Sequence, residues 1–412
     1  MGTKNEARER RAVPPTNPTP AASDVDYRLY DADEHYYEPE DALTRHLDLK
    51  YRRVVQWIDM NGRRTLLIGG RLLQLIPNPT YDPVGRPGAL NSYFRAKNRE
   101  GRSLKEILGE PQPIQPEYHD RAARVKVLDD QGVEFAWILP SLGLGVEEML
   151  KDDHDGLCAV ARSYNEWLDD DWGYDRDGRI QTAPLLPLGD PDFAEAELRR
   201  VIDRGARLIV MRPAPVASIA GPRSVGDAAH DRIWSIAAEA GVVVAFHAAD
   251  DGYAYAGDWG ENARYTGIKQ SAFSEVLSIH SERPIFDTMA AMVCHGVYDR
   301  HPTLRVATVE LGSGWVPSLV RRFRIAFGKQ PRSFTRDPVE TFREHVWVAP
   351  FYEDDFEQLA ELIGLEHVLL GSDWPHPEGI ARPIDYLADI VGFSPDGQRR
   401  IMRENLRELV GR

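Results

Sequence analysis

Eight short β-rich apolar runs, most of them separated by stretches of helical periodicity, limit how this 412-residue chain can fold. In order they are RLYDAD (28–33), FAWILP (135–140), IQTAPLLP (180–187), RLIVMRP (207–213), VVVAFH (242–247), LRVATVE (304–310), HVWVAP (345–350) and HVLLGSD (367–373). Strands that alternate with helices build a parallel sheet, and eight such units close a barrel. The sequence is therefore read as α/β, a TIM-like (β/α)8 barrel. Amphipathic stretches lie where its helices belong: RAARVKVLDDQG (121–132), DPDFAEAELRRVIDRG (190–205) and DRIWSIAAEAG (231–241). The last two begin at or near Asp and stop at Gly, residues suited to the two ends of a helix.

Barrel enzymes carry their chemistry at the C-terminal ends of the strands. In DADEHYYEPEDAL (31–43), Asp33 and His35 stand two apart and share a direction on a strand, with Glu38 three residues further on. His247 closes the fifth run, Glu310 the sixth and Asp373 the eighth. A lone histidine ending a strand is more often structural than ligating. Polar residues converging at four strand ends instead predict a divalent-cation site.

Composition narrows the frame. With 42% hydrophobic residues and a mean hydropathy of −0.44, the chain can bury a large core and reads as a globular protein. It has no apolar stretch of about 18 residues and no basic-then-apolar N-terminal layout, so a cytoplasmic protein is expected. Cys158 and Cys294 stand far apart without C-x-x-C spacing, which argues against disulfides or a thiolate zinc site. A net charge of −15 disfavours nucleic acid as a partner.

Residues 1–24, charged and then rich in Pro, Thr and Ala, read as a disordered tail or an arm around a partner subunit; residues 25–412 read as the barrel domain. Within it, 51–118 reads as an insertion after strand one, with Asn61-Gly62 marking a hairpin and a Pro- and Gly-rich loop following. A lid and an oligomer contact are both open roles for it. A second long loop, 248–283, carries Tyr253, Tyr255, Trp259 and Tyr265, which are expected to wall a pocket.

DADEHYYEP, the Phe246-His247 pair and GSDWPHPEG (371–379) resemble the amidohydrolase superfamily, in particular the amidohydrolase-related branch that includes aminocarboxymuconate semialdehyde decarboxylase. DDQGVE (129–134), YNEWL (164–168) and HPTLRV (301–306) fit the same branch, so the resemblance runs from about residue 28 to 412. It implies that the family's first-strand ligand pair falls on Asp33 and His35, its strand-five ligand on His247 and its strand-eight aspartate on Asp373. Asp33 stands where the decarboxylase has histidine, a harder and more anionic ligand favouring Zn²⁺, Mn²⁺ or Fe²⁺. Glu310 occupies the place of the decarboxylase's strand-six histidine, since His295 comes too early.

These positions suggest roles. A cation held by Asp33, His35, His247 and Asp373 would lower the pKa of a bound water and polarise a substrate carbonyl or carboxylate. Asp373 would also take up a proton, and Glu310 would relay protons or, with Glu38, hold a second ion. His376 is expected to brace a carboxylate or touch substrate, with a plain loop role as the alternative. Arg212 either pairs with a substrate carboxylate or neutralises an acidic barrel mouth. The expected activity is a metal-dependent hydrolase or non-oxidative decarboxylase acting on a small carboxylated or cyclic substrate. A dinuclear iron or manganese oxygenase and an inactive partner subunit are the alternatives, and a homodimer or a hetero-oligomer with a related subunit is the expected assembly.

Overall fold

The computed structural model describes residues 25–250, 252 and 282–412. The expected tail at 1–24 and the loop aromatics Tyr253, Tyr255, Trp259 and Tyr265 lie outside the described residues. Seven of the eight runs form strands: β1 Leu29–His35, β2 Val133–Leu139, β3 Ile180–Thr182, β4 Leu208–Met211, β5 Val243–His247, β6 Arg305–Val309 and β7 Val346–Val348. All neighbouring pairs among them are parallel, with β1, β2 and β3 in one ladder and β4, β5, β6 and β7 in another. A bridge between Leu185 and Val210 joins the ladders on one side.

The eighth run closes the circle without becoming a regular strand. Leu369 donates its N–H to Val348 O at 2.9 Å, and Leu370 accepts from Ala32 N at 2.9 Å, so 368–370 spans β7 and β1. The Leu370 N–H turns away to Ile401 O at 3.2 Å, in the C-terminal helical region, which interrupts the ladder. The result is the (β/α)8 barrel expected from the alternation.

Side chains on each strand alternate between two buried clusters, as the two-residue period requires. Val243 and Ala245 join one cluster with Tyr30, Trp137, Val210 and Ala307, while Val244 and Phe246 join the larger one with the helices. The helix Pro191–Asp203 is capped by Asp190, whose carboxylate accepts from the N–H groups of Asp192 and Phe193, and Asp231–Ala240 ends at Gly241 with φ +66°. The sequence read both ends correctly because capping is local chemistry.

Between β1 and the helix Arg121–Asp130 lies a three-stranded antiparallel sheet formed by Val55–Met60, Arg63–Ile68 and Arg71–Leu72. Its first turn is Asn61-Gly62, both at positive φ (53° and 74°), as a two-residue hairpin demands.

One polar contact anchors β1 from behind. Arg124 is fully buried, donates to Glu34 Oε2 at 3.1 Å and to His35 O at 2.5 Å, and lies 4.4 Å over the Trp374 ring. Burial pushes the Glu34 carboxyl up to about 7, and the Arg124 charge pulls against that rise. Removing one partner of a buried pair typically costs about 3–5 kcal/mol, because the other is left uncompensated. Arg124→Met is therefore expected to lower the unfolding free energy measured in urea by that amount, and adding Glu34→Gln to recover much of it. An equal loss in the single and double variants would show that the pairing is not the cause.

Candidate active site

The C-terminal ends of β1, β5 and β6 and of the eighth segment meet at one point. Pairing of β1 with β2 carries a register shift between Asp31 and Glu34. Past that bulge Asp33 and His35 face the barrel mouth together, while Glu34 points to Arg124. His35 Nε2 lies 3.3 Å from Asp33 Oδ1, 3.4 Å from Asp373 Oδ1 and 3.5 Å from Glu310 Oε2. His247 Nε2 lies 3.1 Å from Glu310 Oε2 and 3.6 Å from Asp33 Oδ1. Five of the residues singled out in the sequence are thus brought together.

Their proton positions follow from what stands behind each ring. His35 Nδ1 is 3.0 Å from Pro140 O and His247 Nδ1 is 2.8 Å from Ala248 O; carbonyls only accept, so both Nδ1 atoms donate. Each Nε2 is then the ring atom left facing the carboxylates. Asp33 Oδ1, His35 Nε2, His247 Nε2 and Asp373 Oδ1 are all buried without a hydrogen bond. Converging buried lone pairs are costly unless a positive charge joins them. The same demand shows in the titration: burial lowers the His35 pKa, yet Asp33 and Glu310 outweigh it and push it up to about 10. Burial, then Glu310 and Asp33, hold the Asp373 carboxyl well above the usual carboxylate range.

A divalent ion meets that demand. Asp33, His35, His247 and Glu310 each offer a ligand atom within 4.8 Å of the others, and so do His35, Glu310, Asp373 and His376. The nitrogen and oxygen donors suit Zn²⁺, Mn²⁺ or Fe²⁺. The two groups share His35 and Glu310, so they overlap rather than form separate sites. Glu310 and Asp373 have φ of 52° and 55°, a left-handed backbone uncommon outside glycine, at the two points where a carboxylate is turned into the mouth.

His376 joins the cluster from the loop after the eighth segment. Its Nδ1 is 2.7 Å from Asp373 Oδ1 and its Nε2 is 3.1 Å from Ser141 Oγ. Ser141 gives its own proton to Tyr36 O at 2.9 Å, so it accepts from His376 Nε2. Burial, then the charges of His35 and His247, drive the His376 pKa well below its ordinary value. Ser141 was missed in the sequence, although a search of every strand end would include it, two residues past β2.

One expectation needs correction. Glu38 is not in the cluster: its carboxylate accepts from the N–H groups of Ser141, Leu142 and Gly143 and from the Tyr164 hydroxyl, at 2.9–3.1 Å, and so holds the loop after β2. With all this capacity used, it is unsuited to a second ion. Arg212 is engaged by Glu148 Oε2 at 2.7 Å and Glu147 Oε1 at 3.3 Å. Of its two expected roles, the contacts formed are those of charge neutralisation. It lines a small open cleft on the same barrel face, together with Leu144, Val146, Leu185, Val210 and Met211.

A parallel α/β barrel with an ionisable cluster at its C-terminal mouth defines an enzyme of the metal-assisted type. The chain belongs to the amidohydrolase family, whose model (Amidohydro_2, Amidohydrolase) matches residues 113–412, as the strand-end motifs imply. Over 303 residues it is 24% identical to gamma-resorcylate decarboxylase of Rhodococcus jostii (strain RHA1), covering 69% of this chain and 86% of that protein. Its fold matches an amidohydrolase from Mycobacterium avium subsp. paratuberculosis K-10 with a TM-score of 0.89 and 44% identity, over 94% of this chain and 99% of that one. A dihydroxybenzoic acid decarboxylase from Polaromonas sp. JS666, solved with bound manganese and the inhibitor 2-nitroresorcinol, shares the fold at 17% identity and a TM-score of 0.55, over 78% of this chain and 93% of that one. The protein is a metal-dependent enzyme of the hydrolase or carboxy-lyase kind.

His247→Ala is expected to leave almost no divalent ion after dialysis against a mild chelator while far-UV circular dichroism stays native. Glu38→Ala should do the reverse, keeping the ion but melting earlier, since it removes four hydrogen bonds of about 1 kcal/mol each. Full ion content in the His247 variant would remove that residue from the ligand set.

Proposed function

We propose that this protein is a non-oxidative decarboxylase of a small aromatic acid, with one divalent ion held by Asp33, His35, His247 and Asp373. The observation that carries the reading is the set of buried, unbonded donor atoms on Asp33, His35, His247 and Asp373, on the same face as a cavity walled by Leu144, Val146, Val210 and Met211. The decarboxylase relative and the manganese-bearing structural neighbour support it.

When bound, the ion would supply electrostatic stabilisation for the substrate's oxygens. The apolar wall would seat the ring and exclude water. Asp373, at the mouth beside His376, would deliver a proton to the ring carbon bearing the carboxylate. That carbon–carbon bond then breaks, its electron pair returns to the ring, and CO₂ leaves. His376, neutral and with its unprotonated Nδ1 2.7 Å from Asp373 Oδ1, would accept a hydrogen bond from the aspartate when that carboxyl carries the proton and so keep it oriented. Glu310, the most exposed of the cluster's carboxylates, would relay protons from solvent to replace the one consumed. Arg212, paired with Glu147 and Glu148, would balance charge at the cavity rim.

The test is to incubate protein loaded with Mn²⁺ or Zn²⁺ with a panel of hydroxylated benzoic acids and to measure CO₂ and the decarboxylated phenol. Release of both without oxygen consumption is expected. Hydrolysis of esters or lactones with no CO₂ from any acid would replace this reading with the hydrolase, and stoichiometric oxygen uptake with the oxygenase. In the active enzyme, Glu310→Gln should keep the ion and lose turnover by about 10²-fold or more, in the range of a proton-transfer group. Unchanged ion content with unchanged turnover would assign Glu310 a structural role.

A further inference from the structure

The stretch between β1 and the helix Arg121–Asp130 stacks against the ionisable cluster through Tyr37, which Tyr81 backs. Tyr81 is only 7% exposed, and its φ of +54° places a bulky residue in the left-handed region, where strain of about 1–3 kcal/mol is the rule unless the surroundings hold it. Its ring stacks on Tyr37 at 4.3 Å and 11°. Tyr37 in turn lies 5.6 Å and 17° from His376, and His376 lies 4.1 Å and 23° from His35. Four nearly parallel rings therefore run from Tyr81 into the ionisable cluster. The Tyr81 hydroxyl is buried beside Ser141.

The backbone around Tyr81 is strapped to the loop that carries His376. Gly88 donates to His376 O at 3.3 Å and Leu90 to Pro377 O at 2.7 Å. A Cβ at Gly85 would stand 2.6 Å from Pro377 Cγ, and one at Gly88 would stand 2.8 Å from Ala381 N, so glycine is needed for the approach. Further along, Arg95 binds both oxygens of Asp389 at 2.6 and 2.8 Å and lies 4.3 Å over the Tyr352 ring. These contacts describe a fixed wall rather than a lid.

We infer that Tyr81 is a positioning residue: through Tyr37 it fixes the plane of the His376 imidazole, and with it the approach of Nδ1 to Asp373. His376 is clamped between Tyr37 and His35 on its faces and by Ser141 at Nε2. Turning the ring would break the stack and the hydrogen bond together. Without the outer tyrosine, Tyr37 loses its backing and the stack loosens. The stack itself stands on the geometry, and only its kinetic consequence rests on the decarboxylase reading.

The experiment uses the full chain with ¹⁵N-labelled histidine, with His376 resonances assigned through His376→Asn. Tyr81→Phe keeps the stacked ring and should leave the His376 and His35 signals in place. Tyr81→Ala should move both, while His46, which pairs with Asp170 at the surface, stays put. If the alanine variant fails to fold, Tyr81→Leu, which keeps apolar volume without a flat ring, takes its place with the same expectation. In turnover, the ringless variant should lose roughly tenfold in kcat with KM unchanged, as a small misplacement of a reacting group does, and phenylalanine should restore it. Unmoved His376 signals in the ringless variant, or a phenylalanine variant that moves them as far, would overturn the inference. Moved signals in a protein whose wild type decarboxylates nothing would support the stack and defeat the decarboxylase reading alone.

Discussion

Repulsion among carboxylates gathered in a buried place is the constraint around which this molecule is arranged. Asp33, Glu310 and Asp373 stand within 3.3–3.5 Å of one imidazole nitrogen, and only a proton or a cation on that nitrogen's side can offset their repulsion. Left alone, such a cluster would spread or take up protons, and the raised His35 and Asp373 values express that tendency. A scaffold that keeps it together must be stiff, and a closed barrel buried on both sheet faces is stiff because no strand can move without its neighbours.

The holding contacts sit one layer behind the cluster. Carbonyls of Pro140 and Ala248 set the histidine tautomers, Ser141 ties His376 to the end of β2, and Arg124 grips the backbone of His35 from the opposite side of β1. Glu38 belongs to this layer as well, its carboxylate folding the loop that presents Ser141. The positive φ of Glu310 and Asp373 shows the load being carried by backbone, since neither would adopt that conformation unless its surroundings imposed it. This arrangement places preorganisation in the framework and leaves the cluster's own donor atoms free for a ligand.

The cavity and the wall divide the mouth between them. Apolar residues from the ends of β2, β3 and β4 line one side, and the paired Arg212 keeps that side from becoming acidic. On the other side the segment around Tyr81 and Gly88 packs against the loop after the eighth segment. The ionisable cluster therefore lies between an apolar cleft and a packed surface that holds His376.

The sequence by itself determined the barrel, the hairpin at Asn61-Gly62, the helix caps, and the identity of the residues that end β1, β5, β6 and the eighth segment. Each of these is written in short-range chemistry: a two-residue or 3.6-residue period, a turn that needs positive φ, a polar residue closing an apolar run. The irregular eighth segment was legible as a barrel element but not as a broken ladder, because its Leu370 N–H is claimed by Ile401, far along the chain. Glu38 looked like a ligand three residues after His35, and only the fold showed its carboxylate filled by three backbone amides and a tyrosine from elsewhere. Arg124, Ser141 and Tyr81 carry no signal in their local sequence; they matter through partners dozens to hundreds of residues away. Tertiary structure decided these roles because hydrogen-bond capacity, ring stacking and charge pairing are settled by what arrives beside a side chain, and the sequence records only what it is.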